Sequence, residues 1–412
     1  MRLSSTVLLV SLALAAVGLA AEDWPQFRGP TGQGHSTESR LPLTWSETQN
    51  IAWKVPVPGS GWSSPVVAGG RVWLTAARDA GRSEISLRAL AFDVATGRVL
   101  VDTEVFRASA SSVRHQKNSH ASPTPIVDGN RVYVHFGPQG TAAVSTDGKV
   151  LWRRTLSYEP QHGSGGSPAL YRDLLIINCD GNGPEAYVIA LDTGSGQVRW
   201  KRDRRRPSAQ AYTTPLIIRS GDRDLLISVA AFRTTAHDPL TGDEIWRVGY
   251  EDGFSNVPRP VFGGGLLFIG TGFNEPSLIA VRPDGTGNVT RTHIAWRVTR
   301  GAPYTPSPLF VDGRLYYTSD TGVLTALDAA SGKILWQQRL GGNFAASPVY
   351  ADGRIYFQSE EGVTTVIGAG PTFERLASNQ LDEGTLASMA VSNGALYLRG
   401  ERHLYKVAAD LQ

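Results

Sequence analysis

Short apolar runs recur in pairs along this chain, each pair joined by a tight polar or glycine-bearing turn. The pattern is clearest in "SPVVAGGRVW" (Ser64 to Trp73), "TPIVDGNRVY" (Thr124 to Tyr133), "SPLFVDGRLY" (Ser307 to Tyr316) and "SPVYADGRIY" (Ser347 to Tyr356). Looser versions are "SPALYRDLLI" (Ser167 to Ile176), "TPLIIRSGDRDLLI" (Thr214 to Ile227), "RPVFGGGLLF" (Arg259 to Phe268) and "SMAVSNGALY" (Ser388 to Tyr397). Runs this short, rich in Val, Ile and Tyr and bounded by Gly or Pro, read as strands. Asp-Gly and Asn-Gly in several turns suit two-residue hairpins. A proline that opens its strand forfeits no ladder hydrogen bond.

A second signal follows most of these hairpins. Trp152, Trp200, Trp246 and Trp336 each stand four residues after a turn glycine: Gly148, Gly196, Gly242 and Gly332. Four is an even step, so a regular strand places every such indole on the same side relative to its glycine. These tryptophans are expected to pack between neighbouring units. Each unit then has four strands, and eight such units predict an all-β, eight-bladed β-propeller of antiparallel blades.

The last unit offers three strands, at "SMAVS", "ALYLR" and "HLYKVA". Its fourth is expected from "NIAWKVPV" (Asn50 to Val57), with Trp53 in the tryptophan position. Pairing Ile51–Val57 with Arg402–Val407 would close the ring and remove two open edges. The expected division is a signal peptide over 1–21, an extended segment over 22–50 and the propeller over 51–412.

Composition then narrows the class. The 412 residues are 41% apolar, enough for a large core. A formal net charge of +3 gives no basic footprint for nucleic acid. Arg2 followed by the uncharged run Leu3 to Ala21 fits a secretory leader cleaved near Ala20 and Ala21. The mature chain is expected to be exported, periplasmic or extracellular, monomeric and without a transmembrane span. Cys179 is the only cysteine, so an intramolecular disulfide is excluded; its setting in "LLIINCDG" suggests a buried thiol.

The hairpins and tryptophans together resemble the PQQ-like (pyrroloquinoline quinone) propeller repeat family, and "DWPQFRGPTGQG" (Asp23 to Gly34) resembles the start of related exported bacterial propellers. That family includes quinoprotein dehydrogenases and a propeller lipoprotein that assists outer-membrane β-barrel assembly. The resemblance to the dehydrogenases implies a PQQ held against a disulfide between adjacent cysteines, stacked on a Trp, beside an Asp base and calcium. With one cysteine that disulfide cannot form. The resemblance to the lipoprotein lacks its lipid-attachment cysteine. Asp192, Asp238 and Asp328 fall at turns and are read as bonding the turn backbone.

In a propeller, the loops entering the innermost strands share one face with those joining second and third strands. The longest entry loop, "RASASSVRHQKNSHASPTP", places His115, Lys117, Asn118 and His120 there. His162, Tyr212, Arg259, Tyr304 and Asn343 are expected on the same face from other entry loops. Convergent polar groups at a channel mouth are the candidate partner site. The histidine spacing does not match a compact zinc site, so no metal is expected. "KRDRRRP" (Lys201 to Pro207), the densest basic cluster, is read as a solvated loop. The favoured function is a binding or scaffolding module for an envelope protein, peptide or polysaccharide, with no cofactor. The alternative is a periplasmic PQQ- and calcium-dependent oxidoreductase; catalytic residues are not assigned.

Overall fold

Eight four-stranded antiparallel blades surround a common axis. Seven take their strands in sequence order, and the eighth takes its outer strand from Ile51–Pro56. Gly287–Asn288 adds a short parallel strand beside Glu244–Gly249. The computed structural model describes residues 22–182, 185–204, 209–251 and 253–409. The expected leader, residues 1–21, lies outside these described residues. Blades are numbered along the chain from the one that opens at Val66–Ala68, so blade 8 opens at Ala390–Ser392. First strands are innermost: those of neighbouring blades contact one another, as Val66–Ala68 does with Ile126–Asp128 and Ala390–Ser392. Fourth strands are outermost and alternate half-buried with exposed positions, as in Ile334–Arg339.

Local sequence explains the hairpins. Asp312-Gly313, Asp352-Gly353 and Asn393-Gly394 all have positive φ at both residues, the backbone of a type I′ turn. Asp192 and Asp328 each accept the N–H and hydroxyl of the serine three residues on, at 2.5–2.8 Å. Asp238 accepts from the N–H groups of Leu240 and Thr241. These aspartates are turn braces, as their positions suggested.

The tryptophans lock each blade to the next. Trp152 in blade 2 donates its indole N–H to Thr193 O in blade 3 at 3.0 Å, and Trp200 and Trp246 repeat the bond to Pro239 O and Pro283 O. Trp152 and Trp200 also lie against turn glycines of the next blade. A methyl group on Gly196 would stand 2.6 Å from Trp152, and one on Gly242 would stand 2.6 Å from Trp200. Trp296, which no glycine-spaced pattern marks, does the same with Ala329 O and Gly332. Trp336 departs from the rule. It is half-buried, its Nε1 has no partner among the described residues, and it packs edge-on against Phe373.

Closure follows the expected route. Ile51–Pro56 pairs antiparallel with His403–Val407, completing blade 8. Trp53 is half-buried rather than fully buried; its indole N–H reaches Val94 O in blade 1.

A second ring runs around the axis. The backbone N–H of each Ser or Thr that opens a first strand donates to the corresponding hydroxyl of the following blade. The links run Ser64 to Thr124, Thr124 to Ser167, and Ser167 to Thr214, each at 2.9 Å. Ser307 to Ser347, Ser347 to Ser388, and Ser388 back to Ser64 continue it at 2.9–3.1 Å. Blade 5 carries Arg259 in place of the hydroxyl, and its guanidinium spans the gap by donating to Pro215 O.

Residues 22–36 cross the channel and stopper it. Trp24 bridges to Val67 in blade 1, Pro25 O accepts from Val127 in blade 2, and Arg28 donates to Pro308 O in blade 6 at 2.7 Å. Gly34 and Ser36 pair with Tyr350 in blade 7.

Candidate functional site

One cavity of about 590 Å³ opens at the entry-loop end of the channel. Phe27 of the N-terminal stopper forms part of its lining, together with the hydroxyl-bearing residues of the axial ring. A separate groove of about 400 Å³ lies between the other side of that segment and blades 3 to 5, lined by Pro30, Thr31 and Gln33 among others.

The upper wall is aromatic through a wide arc. His115 and His162 meet edge-to-face at 5.5 Å, and His162 lies 6.1 Å from Tyr212. The arc continues through Phe254, Phe273 and Tyr304, at 5.7 Å and 5.6 Å between successive rings. A two-residue ladder, Gly253–Phe254 against Phe273–Asn274, holds the phenylalanines opposite each other. The loops of blades 4 and 5 are joined by a bond from Tyr212 N–H to Asn256 O. Trp62 and Leu386 line the cavity from blades 1 and 8.

An ion pair crosses the mouth. Lys117 Nζ, from the entry loop of blade 2, lies 2.9 Å from both carboxylate oxygens of Glu360 in blade 7. Asp320 is occupied in a different way. It accepts the N–H groups of Tyr304 and Thr305 and the Thr305 hydroxyl, and so fixes the entry loop of blade 6. The His162 imidazole is held below its ordinary pKa, first by loss of solvent and then by neighbouring His115. It is therefore a neutral hydrogen-bonding group near pH 7. Burial raises the Tyr212 hydroxyl well above the usual phenol range, and Tyr212 Oη makes no hydrogen bond among the described residues.

Of the residues singled out by sequence, His115, Lys117, Asn118, His162, Tyr212 and Tyr304 line this cavity. Three do not. Half-buried His120 points to Ser112, at 3.3 Å from its hydroxyl. Asn343 is exposed and donates to Glu361. Arg259 is buried and bonded to Pro215 O and Phe27 O, because its backbone belongs to the axial ring. Phe254, Phe273, Trp62, Phe27 and Glu360 join the site without having been singled out. Glu360 and Phe273 lie on loops joining second to third strands, which share the face but carry no repeat signature.

The basic cluster is largely spent on local partners. Lys201 lies over the Tyr187 ring, Arg202 pairs with Asp243, and buried Arg204 forms two bonds to Asp180. Arg205, Arg206 and Pro207 lie outside the described residues.

The residues do not fit the PQQ and calcium arrangement that the dehydrogenase resemblance implies. Cys179, the only cysteine, is fully buried in blade 3. Among the described residues, no three His, Cys, Asp or Glu side chains gather around a point that could hold a metal. PQQ carries three carboxylates, and the one ammonium at the cavity, Lys117, is already paired with Glu360.

Comparison with known proteins agrees with the architecture. The family model described as outer membrane protein assembly factor BamB matches residues 83–228 and 230–370. The quinohemoprotein alcohol dehydrogenase ADH IIB of Pseudomonas putida is 25% identical over 286 residues, 60% of this chain. That match spans 38% of the dehydrogenase. BamB from Moraxella catarrhalis superposes with a TM-score of 0.59 at 15% identity, covering 87% of this chain and 99% of that one. Quinohemoprotein alcohol dehydrogenase from Comamonas testosteroni gives 0.65 at 12% identity, covering 95% and 81%.

Proposed function

The chain belongs to the PQQ-like β-propeller family, and we propose that it is an exported, non-catalytic member that binds a partner of the cell envelope at its entry-loop face. The observation that carries this reading is the stoppered cavity itself. It combines an arc of aromatic rings with the Ser and Thr residues of the axial ring, and its charges are paired within the wall. Such a surface suits recognition. The carboxylates at the cavity are engaged within the wall. Asp320 is saturated by three donors and Glu360 is held by Lys117.

Export is supported by the leader-like N-terminus and by the family description, which names an outer-membrane assembly factor. No helix among the described residues is long and apolar enough to cross a membrane. The test is capture of envelope components by the purified protein and by a variant carrying His162→Ala and Tyr212→Ala. A partner retained by the parent and lost by a variant of unchanged melting temperature supports the reading. Equal capture by both sinks it.

The quinoprotein alternative draws support from the Pseudomonas putida relative. Titration with PQQ and Ca²⁺, followed by absorbance and by dye reduction with small alcohols, decides it. Saturable binding with turnover would replace the reading above.

A further inference from the structure

We propose that the entry-loop cavity is a saccharide site, built to stack the apolar face of a neutral pyranose on Phe254, Phe273 and Tyr304 and to bond its hydroxyls from His115 and His162. This rests on the entry-loop face being the binding surface and adds the chemical class of what it takes.

Charge excludes the simplest rivals. A phosphate, sulfate or carboxylate needs an available cation, and the Lys117 ammonium is held by both oxygens of Glu360. A cationic ligand needs an available carboxylate. Asp320 accepts three hydrogen bonds from blade 6, and Glu360 is neutralised by Lys117. The fixed charges at the cavity are thus already answered, and a neutral ligand leaves them so.

The two sides of the arc supply what a sugar needs. A pyranose ring has faces of C–H groups and an edge of hydroxyls. Phe254, Phe273 and Tyr304 offer ring faces on one side, with Phe273 about half exposed (51%) at the rim, where an incoming ring meets it first. Burying such a face against an aromatic ring gains both area and a specific geometry. The wall from blades 2 and 3 adds ring nitrogens that can bond hydroxyls. The imidazoles of His115 and His162 stand together, edge-to-face at 5.5 Å. A purely apolar guest would take water from those ring nitrogens and return no partner, at a cost that a sugar hydroxyl removes. The cavity, at about 590 Å³, lies within the range that encloses small ligands. Its floor is closed by Phe27 and its neighbours, so a chain would enter by one end from the mouth rather than thread the channel.

The experiment is calorimetric titration of the purified protein with cellohexaose, xylohexaose, laminarihexaose and chitohexaose, with the parent and two variants. Phe273→Ala removes a rim platform on an exposed loop, and His162→Phe removes the ring nitrogens while keeping an aromatic side chain. The expected result is saturable binding of at least one of the four. Phe273→Ala should weaken it about tenfold, and His162→Phe should weaken it severalfold, with melting temperatures unchanged. Heats indistinguishable from dilution for all four sugars overturn the proposal, as does binding that both variants leave intact. An apolar peptide that binds in a Phe273-dependent way while no sugar does also overturns the saccharide class, yet leaves the entry-loop face standing as a binding surface. Envelope capture unaffected by His162→Ala and Tyr212→Ala would instead remove the broader reading.

Discussion

The backbone N–H of Ser388 donates to the Oγ of Ser64 at 3.1 Å, joining the last blade to the first across 324 residues of chain. It is one link in a belt around the axis in which each blade's opening amide is satisfied by the next blade's hydroxyl. Both residues are buried, so the amide has no easy recourse to water. Ser64→Ala should therefore cost about 1–3 kcal/mol, the penalty of an orphaned buried donor. Chemical denaturation of parent and variant measures it; a change below about 0.5 kcal/mol would mean that water replaces the hydroxyl.

The indole locks make a graded series. Trp246 is fully buried and bonded to Pro283 O, so Trp246→Ala should cost about 3–5 kcal/mol. Trp336→Ala should cost clearly less, since that indole is half-buried and its N–H has no partner among the described residues. Gly196→Ala should destabilise too, through a φ of 71° and a Cβ placed 2.6 Å from Trp152. Equal losses for the two tryptophans would undo the argument that burial and the indole bond set the cost.

The blades were legible because repetition averages out local ambiguity: Asp312-Gly313 and Asp352-Gly353 occupy matching turns and read the same way. Trp296 was not legible, because the turn before it, "GNVTRTH", has no glycine at the four-residue spacing. The pairing of Lys117 with Glu360 spans 243 residues and follows only from blades 2 and 7 meeting across the mouth. Arg259 looked like a surface group because it precedes a strand proline, yet the axial ring turns it inward onto Phe27 O. The N-terminal stopper has no periodic pattern at all. Its path is set by bonds to six blades, which local sequence does not encode.

Two buried histidines make stability depend on pH. His135 is held by Thr141 and Tyr158, and burial takes its pKa down to about 3; His237 is lowered to about 4, mainly by burial and then by Arg204. A folded pKa below the unfolded one means that the unfolded chain takes up protons first. Stability is complete above about pH 6.5 and falls as pH drops from there towards those two values. The loss approaches about 1.4 kcal/mol per pH unit for each histidine. Denaturant midpoints measured from neutral to mildly acidic pH should decline, and His135→Asn should flatten the slope even if it lowers the starting stability. Identical slopes would assign the acid loss to other groups.

Removing residues before Pro58 would strip both the closing strand and the stopper. The edge at His403–Val407 would lose its partner, and the channel would open beneath the cavity. Exposed edges of this kind invite pairing between molecules. Aggregation, or a markedly lower melting temperature, is the expected outcome. A truncated protein as stable and monodisperse as the parent would show that the ring holds without its closing strand.

The mouth offers the sharpest separation of binding from stability. Lys117 is 55% exposed while the Glu360 side chain is 17% exposed, so Lys117→Ala should cost about 1 kcal/mol. It should nevertheless alter partner binding, because the pair crosses the opening through which any ligand enters. Added salt should mimic part of that effect in the parent and little of it in the variant, since screening weakens an exposed pair and has no pair left to weaken in Lys117→Ala. His120→Ala is the control. It comes from the same loop, but its ring faces Ser112 rather than the cavity, so binding should be retained. Loss of binding in His120→Ala with Lys117→Ala unaffected would move the working surface out of the cavity and onto the outer side of that loop.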